Sequence, residues 1–185
     1  MSSLIHSIHR SGRRYSLNEF GSNFGVTTQS LSATVANFSF ETPIISGFQY
    51  SPTGSSWNIN SASGLTVGNN TWLGTAVQDG NQACFMQGAA AEISQSLTLV
   101  PGLTYMLFFY GIQRPTFSGL TCSVKIDTDI ITTVIPPSTT VWTQYSASFT
   151  TRNNTALLTF SGLNTLGGDR SLVLDNIRIK YPVYV

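Results

Sequence analysis

From Asn37 onward, apolar side chains recur at every second position in short runs, and Gly, Pro, Asn or Ser breaks each run before it grows long. Leu120, Cys122, Val124 and Ile126 alternate with Thr121, Ser123, Lys125 and Asp127. A period of two puts the first set on one face of a pleated strand and the second set on the other. Ile93, Leu97 and Leu99 keep the same rhythm against Ser94, Ser96 and Thr98, and Pro101-Gly102 then makes a turn. Residues 104–113 are apolar in both phases, which predicts a strand covered on both faces. Such runs carry no helical stripe, so their sheets must bury their apolar faces on each other.

The other runs follow the same logic. Phe38 and Phe40 alternate with polar residues until Pro43 stops them, and Trp57 and Ile59 lie in residues 56–61. Residues 83–87 read as a short apolar strand. A hairpin turn at Asp127, Thr128 and Asp129 leads into 130–135, ended by Pro136-Pro137, and 142–150, 156–161 and 171–180 complete the set. In the last run Leu172 and Leu174 hold one phase while Ile177 and Ile179 hold the other. That change predicts a bulge near Asp175-Asn176, or burial on both faces. Roughly eight to ten short strands with no helix between them predict a sandwich or barrel. The expected organisation is one all-β domain at 37–185 behind an irregular arm at 1–36. In the arm Leu4, Ile5 and Ile8 share a small helical face, too short to stand alone.

Charged residues make up 9% of the chain, where ordinary domains carry about a quarter. Disorder does not explain this, because the chain is rich in aromatic and β-branched residues. A membrane-spanning helix does not either, because no apolar run approaches roughly 20 residues. A surface so poor in charge is weakly protected against association, which predicts partner-covered faces. Residues 1–14 carry Arg10, Arg13 and Arg14 and no acid, which suits contact with phosphate or an acidic protein face. Three arginines are too few to predict nucleic-acid binding. Cys84 and Cys122 lack metal-site spacing, and Cys122 sits in an apolar phase, so a buried free thiol is expected there, the alternative being a Cys84–Cys122 disulfide if their strands are adjacent. The N-terminal residues lack the order of a secretory leader, since the arginines follow the apolar residues. That predicts synthesis in a cytoplasm.

The only histidines, His6 and His9, lie in the arm. A nucleophile in the body would have no imidazole base, and a catalytic zinc would have no imidazole ligand. Glu92, Asp127, Asp129 and Asp169 fall at turns or on polar faces. No enzyme is predicted. Tyr50, Trp57, Trp72, Trp142 and Phe117 are the aromatic residues that could stack on a sugar, weighed against core roles. Trp72, in a Gly- and Asn-rich loop, is the foremost candidate for an exposed contact, with Trp57 and Tyr50 behind it. Trp142 opens a strand.

Several motifs occur in a telling order. Asn37, Phe38, Phe40, Glu41 and Pro43 come first, then Trp57, then Asp79, Gly80, Asn81 and Gln82. Ile93-Ser94-Gln95-Ser96-Leu97, the run Pro101 to Phe109, Trp142-Thr143-Gln144-Tyr145 and Leu174-Asp175-Asn176-Ile177 follow. Over about residues 37–180 the chain resembles the galactose-binding-like jelly-roll superfamily, which includes many carbohydrate-binding modules. The resemblance implies two antiparallel sheets of four or five strands each. It also implies a core position for Trp142 and a structural calcium held by Glu41 and Asp175. The alternative from the residues alone is a solvated Glu41 and an Asp175 that caps the bulge or pairs with Arg178. Fold does not dictate function, so two readings follow. The first is a structural protein of an assembly, such as a virion capsid or tail, packing against copies of itself or neighbouring structural proteins through its faces and arm. The second is a carbohydrate-binding module or lectin-like protein outside the cell, with glycans as ligands.

Overall fold

The structure, a computed structural model, describes residues 33–163 and 168–181. The chain divides into two compact units, Met1–Ser30 and Leu31–Val185. Every described residue belongs to the second, so Arg10, Arg13, Arg14 and the helical face of Leu4, Ile5 and Ile8 lie outside the described residues. Among the described residues no helix is long and apolar enough to cross a membrane.

The body is an antiparallel jelly-roll sandwich; the alternation predicted a sandwich or barrel, and the resemblance implied the jelly roll. One sheet has the order β1 (Phe48–Tyr50), β3 (Ser63–Val67), β4 (Gln82–Gln87), β11 (Ser171–Lys180), β6 (Thr104–Gln113) and β9 (Thr143–Thr150). The other has the order β2 (Asn58–Ile59), β5 (Glu92–Thr98), β10 (Thr155–Gly162), β7 (Cys122–Ile126) and β8 (Asp129–Val134). Successive strands from β4 to β7 switch sheets. Each therefore turns one phase of its alternation onto the partner sheet and leaves the other phase outside. Leu107 and Phe109 of β6, Val124 of β7, Leu158 and Phe160 of β10, and Leu172 and Leu174 of β11 meet in the shared core, all fully buried. Cys84 and Cys122 enter it from opposite sheets as free thiols, which burial pushes above the usual range, Cys122 to about 12.

The bulge falls where the phase change predicted it. Asp175 pairs with Tyr110, but the next pair in register is Arg178 with Phe108. Asn176 takes a left-handed conformation (φ 52°) to absorb the extra residue. Ile177 and Ile179 thereby return to the core while Asn176, Arg178 and Lys180 face outward.

Two expectations needed correction. Phe38 and Phe40 do not form a strand. Asn37 and Phe40 both have positive φ, 50° and 60°, and the segment is a turn whose Phe40 side chain is fully buried against Trp57. The sandwich also begins before Asn37. Val35 is buried in its core, and Ala36 exchanges hydrogen bonds with the Gln95 amide at 2.8 and 2.9 Å.

Candidate functional site

The outer face of the six-stranded sheet carries a second, smaller apolar cluster. It forms because β4, β11 and β6 align Phe85, Val173 and Ile112 in one cross-strand row, pointing away from the main core. Residues 68–81, between β3 and β4, fold down over this row and lay Trp72 and Leu73 on it. Asn70 shapes the turn. Its side-chain oxygen accepts the N–H groups of Trp72 and Leu73 at 3.1 and 2.8 Å, and its amide donates to Gly47 and Thr66. Trp142 anchors the far side by donating its indole N–H to the Ala76 carbonyl at 2.9 Å. It packs half-buried on this outer cluster, and not in the main core where the resemblance placed it.

Around Trp72 the aromatic rings are contiguous. Phe85 lies 4.8 Å from Trp72 and 4.8 Å from Tyr50, and Phe48 touches Tyr50, Trp72 and Phe85. Gly64 makes the Tyr50–Phe85 contact feasible. A Cβ there would stand 2.6 Å from the Phe85 ring and 2.2 Å from the Gln49 carbonyl. The Arg114 guanidinium stacks between Trp72 at 4.3 Å and Phe117 at 4.6 Å. Asp169 pairs with it at 2.8 Å. One oxygen of Asp169 is buried without a partner, and the other guanidinium N–H groups of Arg114 bond to nothing among the described residues. Phe48 is 50% exposed, and Tyr50 and Phe117 are each 38% exposed, so their rings reach solvent beside that pair. The Tyr50 hydroxyl is held by the Gln87 side chain.

Tyr50 and Trp72 of the sequence candidates therefore come together, and Trp57 does not. Trp57 is 3% exposed, packs against Phe40 and Phe160 in the main core, and donates its indole N–H to the Asn37 carbonyl. Trp72 is itself only 8% exposed, so it supports the patch and is not the exposed contact the sequence suggested. Phe48 and Arg114 were missed. Phe48 stands two residues before Tyr50 on one strand face, a signal the alternation carried.

Glu41 and Asp175 grip residues 78–82 with their carboxylates. Glu41 accepts the N–H groups of Asn81 and Gln82, each at 2.9 Å. Asp175 accepts those of Gln78 and Asp79 at 2.9 Å and of Asn176 at 2.6 Å. Gly80 turns between them at φ +77°, and a Cβ there would strike the Glu41 carboxylate. Arg178 closes the edge by pairing with Asp79 at 2.8 Å, so the Arg178 pairing falls to Asp79 and not to Asp175. Calcium takes six to eight oxygen ligands. Here the carboxylates face amide hydrogens, and no cluster of three or more His, Cys, Asp or Glu gathers among the described residues. These residues fit a carboxylate clamp held by N–H groups and do not fit the calcium site that the resemblance implied. Burial pushes the Asp175 carboxyl up to about 7, against the opposing pull of its three N–H donors.

A second depression lies on the same sheet face beyond residues 68–81. It is a cleft of about 220 Å³ lined by Phe108, Tyr110, Gln144, Asn176, Arg178 and Lys180. A larger hollow lined by Thr34, Ala36, Ser56, Gln95, Ser96 and Thr98 offers neither a ring nor a charge.

No protein-family model matches the chain, and no curated protein does. Solved structures do. A cyclase from Fischerella sp. TAU, in complex with 4-(1H-indol-3-yl)butan-2-one, superposes with a TM-score of 0.61 at 14% identity, covering 80% of this chain and 96% of the other. TmCBM61 in complex with β-1,4-galactotriose gives 0.55 at 16% identity, covering 81% and 99%. The CBM22-1 xylan-binding domain of Paenibacillus barcinonensis Xyn10C gives 0.52 at 15% identity, covering 78% and 91%. At these identities the likeness is one of fold. The chain shares the β-sandwich fold of these structures, the fold that the resemblance implied.

Proposed function

We propose that this protein binds a glycan on the aromatic patch of its six-stranded sheet and carries out no catalysis. The observation behind this reading is the partly exposed pair Phe48 and Tyr50 in one ring cluster with Trp72 and Phe85, with Phe117 joined to it through the Arg114 guanidinium that stacks between Trp72 and Phe117. Aromatic faces stack on the C–H faces of pyranose rings, and Arg114 has guanidinium N–H groups left over to donate to ring hydroxyls. Trp72 and Phe85 hold the exposed rings in place from below, which limits the entropy lost on binding. The likeness in fold to a galactotriose-bound module and a xylan-binding domain supports the glycan. The assembly reading has less behind it. The low charge that suggested it is equally met by neutral outer strand faces, such as Ser96, Thr98 and Thr155.

Calorimetric titration with a panel of neutral oligosaccharides, β-1,4-galactotriose and xylotriose among them, tests the proposal. At least one should bind. Tyr50→Ala and Phe117→Ala should each weaken that binding about tenfold, the loss of roughly 1–1.5 kcal/mol of ring contact. Both rings are partly exposed, so the melting temperature should stay within a few degrees. Absence of binding across the panel, or affinity untouched by both substitutions, overturns the reading.

A further inference from the structure

We infer a second binding site, for a sugar carrying one negative charge, in the cleft formed by β6, β9 and β11. This inference goes beyond the aromatic patch and uses none of its residues. The register builds the cleft. Arg178, Phe108 and Ser146 form one cross-strand row, and Lys180, Met106 and Ser148 form the next. Asp175, Tyr110 and Gln144 form the row above. Without the bulge, β11 would keep its earlier phase and turn Ile177 and Ile179 outward here. With it, Asn176, Arg178 and Lys180 face solvent on a sheet that is otherwise poor in charge.

The two cations are not equivalent. Arg178 is spent on its surroundings. It bonds the Asn176 side chain, pairs with Asp79 at 2.8 Å and stacks on Phe38 at 4.3 Å. Its charge is already matched. Lys180 is exposed, has no ion-pair partner among the described residues, and stands 5.3 Å over the Phe108 ring. No acid lines the cleft. The cleft therefore holds one uncompensated positive charge, placed beside an aromatic ring. The Tyr110 hydroxyl and the Gln144 amide make no hydrogen bond among the described residues, so they are open to a ligand. One lysine, one ring and two neutral polar groups match a pyranose that has hydroxyls, an apolar face and a single anionic substituent. Lys180 is a point charge without a planar fork, so it sets the sign of the substituent and not its geometry, and the acidic sugar is a uronic acid or a sulfate ester.

Binding of trigalacturonic acid, of a singly sulfated galactotriose and of neutral galactotriose to the full chain tests this. At least one acidic probe should bind, with affinity that falls as salt is raised. Lys180→Ala should weaken it tenfold or more, and Lys180→Arg should retain most of it. Lys180 is exposed and unpaired, so both variants should keep the parent melting temperature. Tyr50→Ala should leave acidic binding unchanged, and Lys180→Ala should leave any neutral binding unchanged. The relative strength of the two acidic probes assigns carboxylate or sulfate. Failure of both acidic probes, or acidic binding insensitive to Lys180, overturns the inference. Failure of the neutral sugars alone would instead count against the aromatic patch.

Discussion

The contribution of Asp175 to stability should fall as pH rises from about 4 to about 7, and Asp175→Asn should remove that part of the pH dependence. The unfolded carboxyl gives up its proton near 3.8, whereas in the folded protein burial holds it until about 7. Between those values the folded state binds the extra proton, so deprotonation favours unfolding. The contribution is fully present at the acid end and is lost as pH passes through the folded value. At about 1.4 kcal/mol per pKa unit, the span corresponds to a loss on the order of 4 kcal/mol. The Asn variant has no proton to release. It also loses an acceptor for one of the three N–H groups, so it should start about 1–3 kcal/mol lower at acid pH and then change little. Guanidinium unfolding of both proteins across this range measures the difference, in which other carboxylates cancel. Equal slopes would refute the assignment to Asp175. Calcium and chelator arms at neutral pH separate a clamp from a metal site. With N–H groups as the only partners, neither should move the midpoint. A rise with calcium would mean that an ion replaces the proton.

The sandwich was legible because each core strand repeats its phase within its own few residues. Ser171–Lys180 was bounded correctly, and its bulge was visible as a phase change between Leu174 and Ile177. Phe48–Tyr50 and Ser63–Val67 were not found as strands. The first is an exposed edge, and the second contains Gly64 and little apolar signal. Phe38 and Phe40 showed the alternation of a strand, yet left-handed backbone at Asn37 and Phe40 makes a turn. A period of two over so short a stretch cannot report φ.

The site was less legible because it is made by contacts distant along the chain. That Tyr50 meets Phe85, and Arg114 meets Trp72, follows from cross-strand register and from the course of residues 68–81. Neither is encoded in local pattern. Loop composition suggested an exposed Trp72, but Asn70 turns the loop inward and Arg114 covers the ring. Likewise Glu41 and Asp175 stood out as isolated acids. Their partners are backbone amides of residues 78–82 and of Asn176, which a sequence does not display.

Gly64→Ala should be among the most damaging small substitutions in the chain. The added methyl would sit 2.2 Å from the Gln49 carbonyl and 2.6 Å from Phe85. A ring edge can rotate away, but a strand carbonyl moves only with its strand. Relief therefore requires β1 to separate from β3, a ladder that pairs Tyr50 with Gly64 and Phe48 with Thr66. Separation would carry off Phe48 and Tyr50 and uncover Phe85 and Trp72. The cost should be about 2–4 kcal/mol, in the range of overpacking with loss of local structure. Thermal unfolding would show it as a lowered midpoint, and neutral-sugar titration as loss of binding well beyond that of Tyr50→Ala. The Lys180 cleft is built on β6, β9 and β11, away from this edge, so acidic-sugar binding should survive at temperatures below the lowered midpoint. A variant that kept the parent midpoint and parent sugar affinity would show that β1 is not held flush on β3, and the aromatic patch would lose its footing.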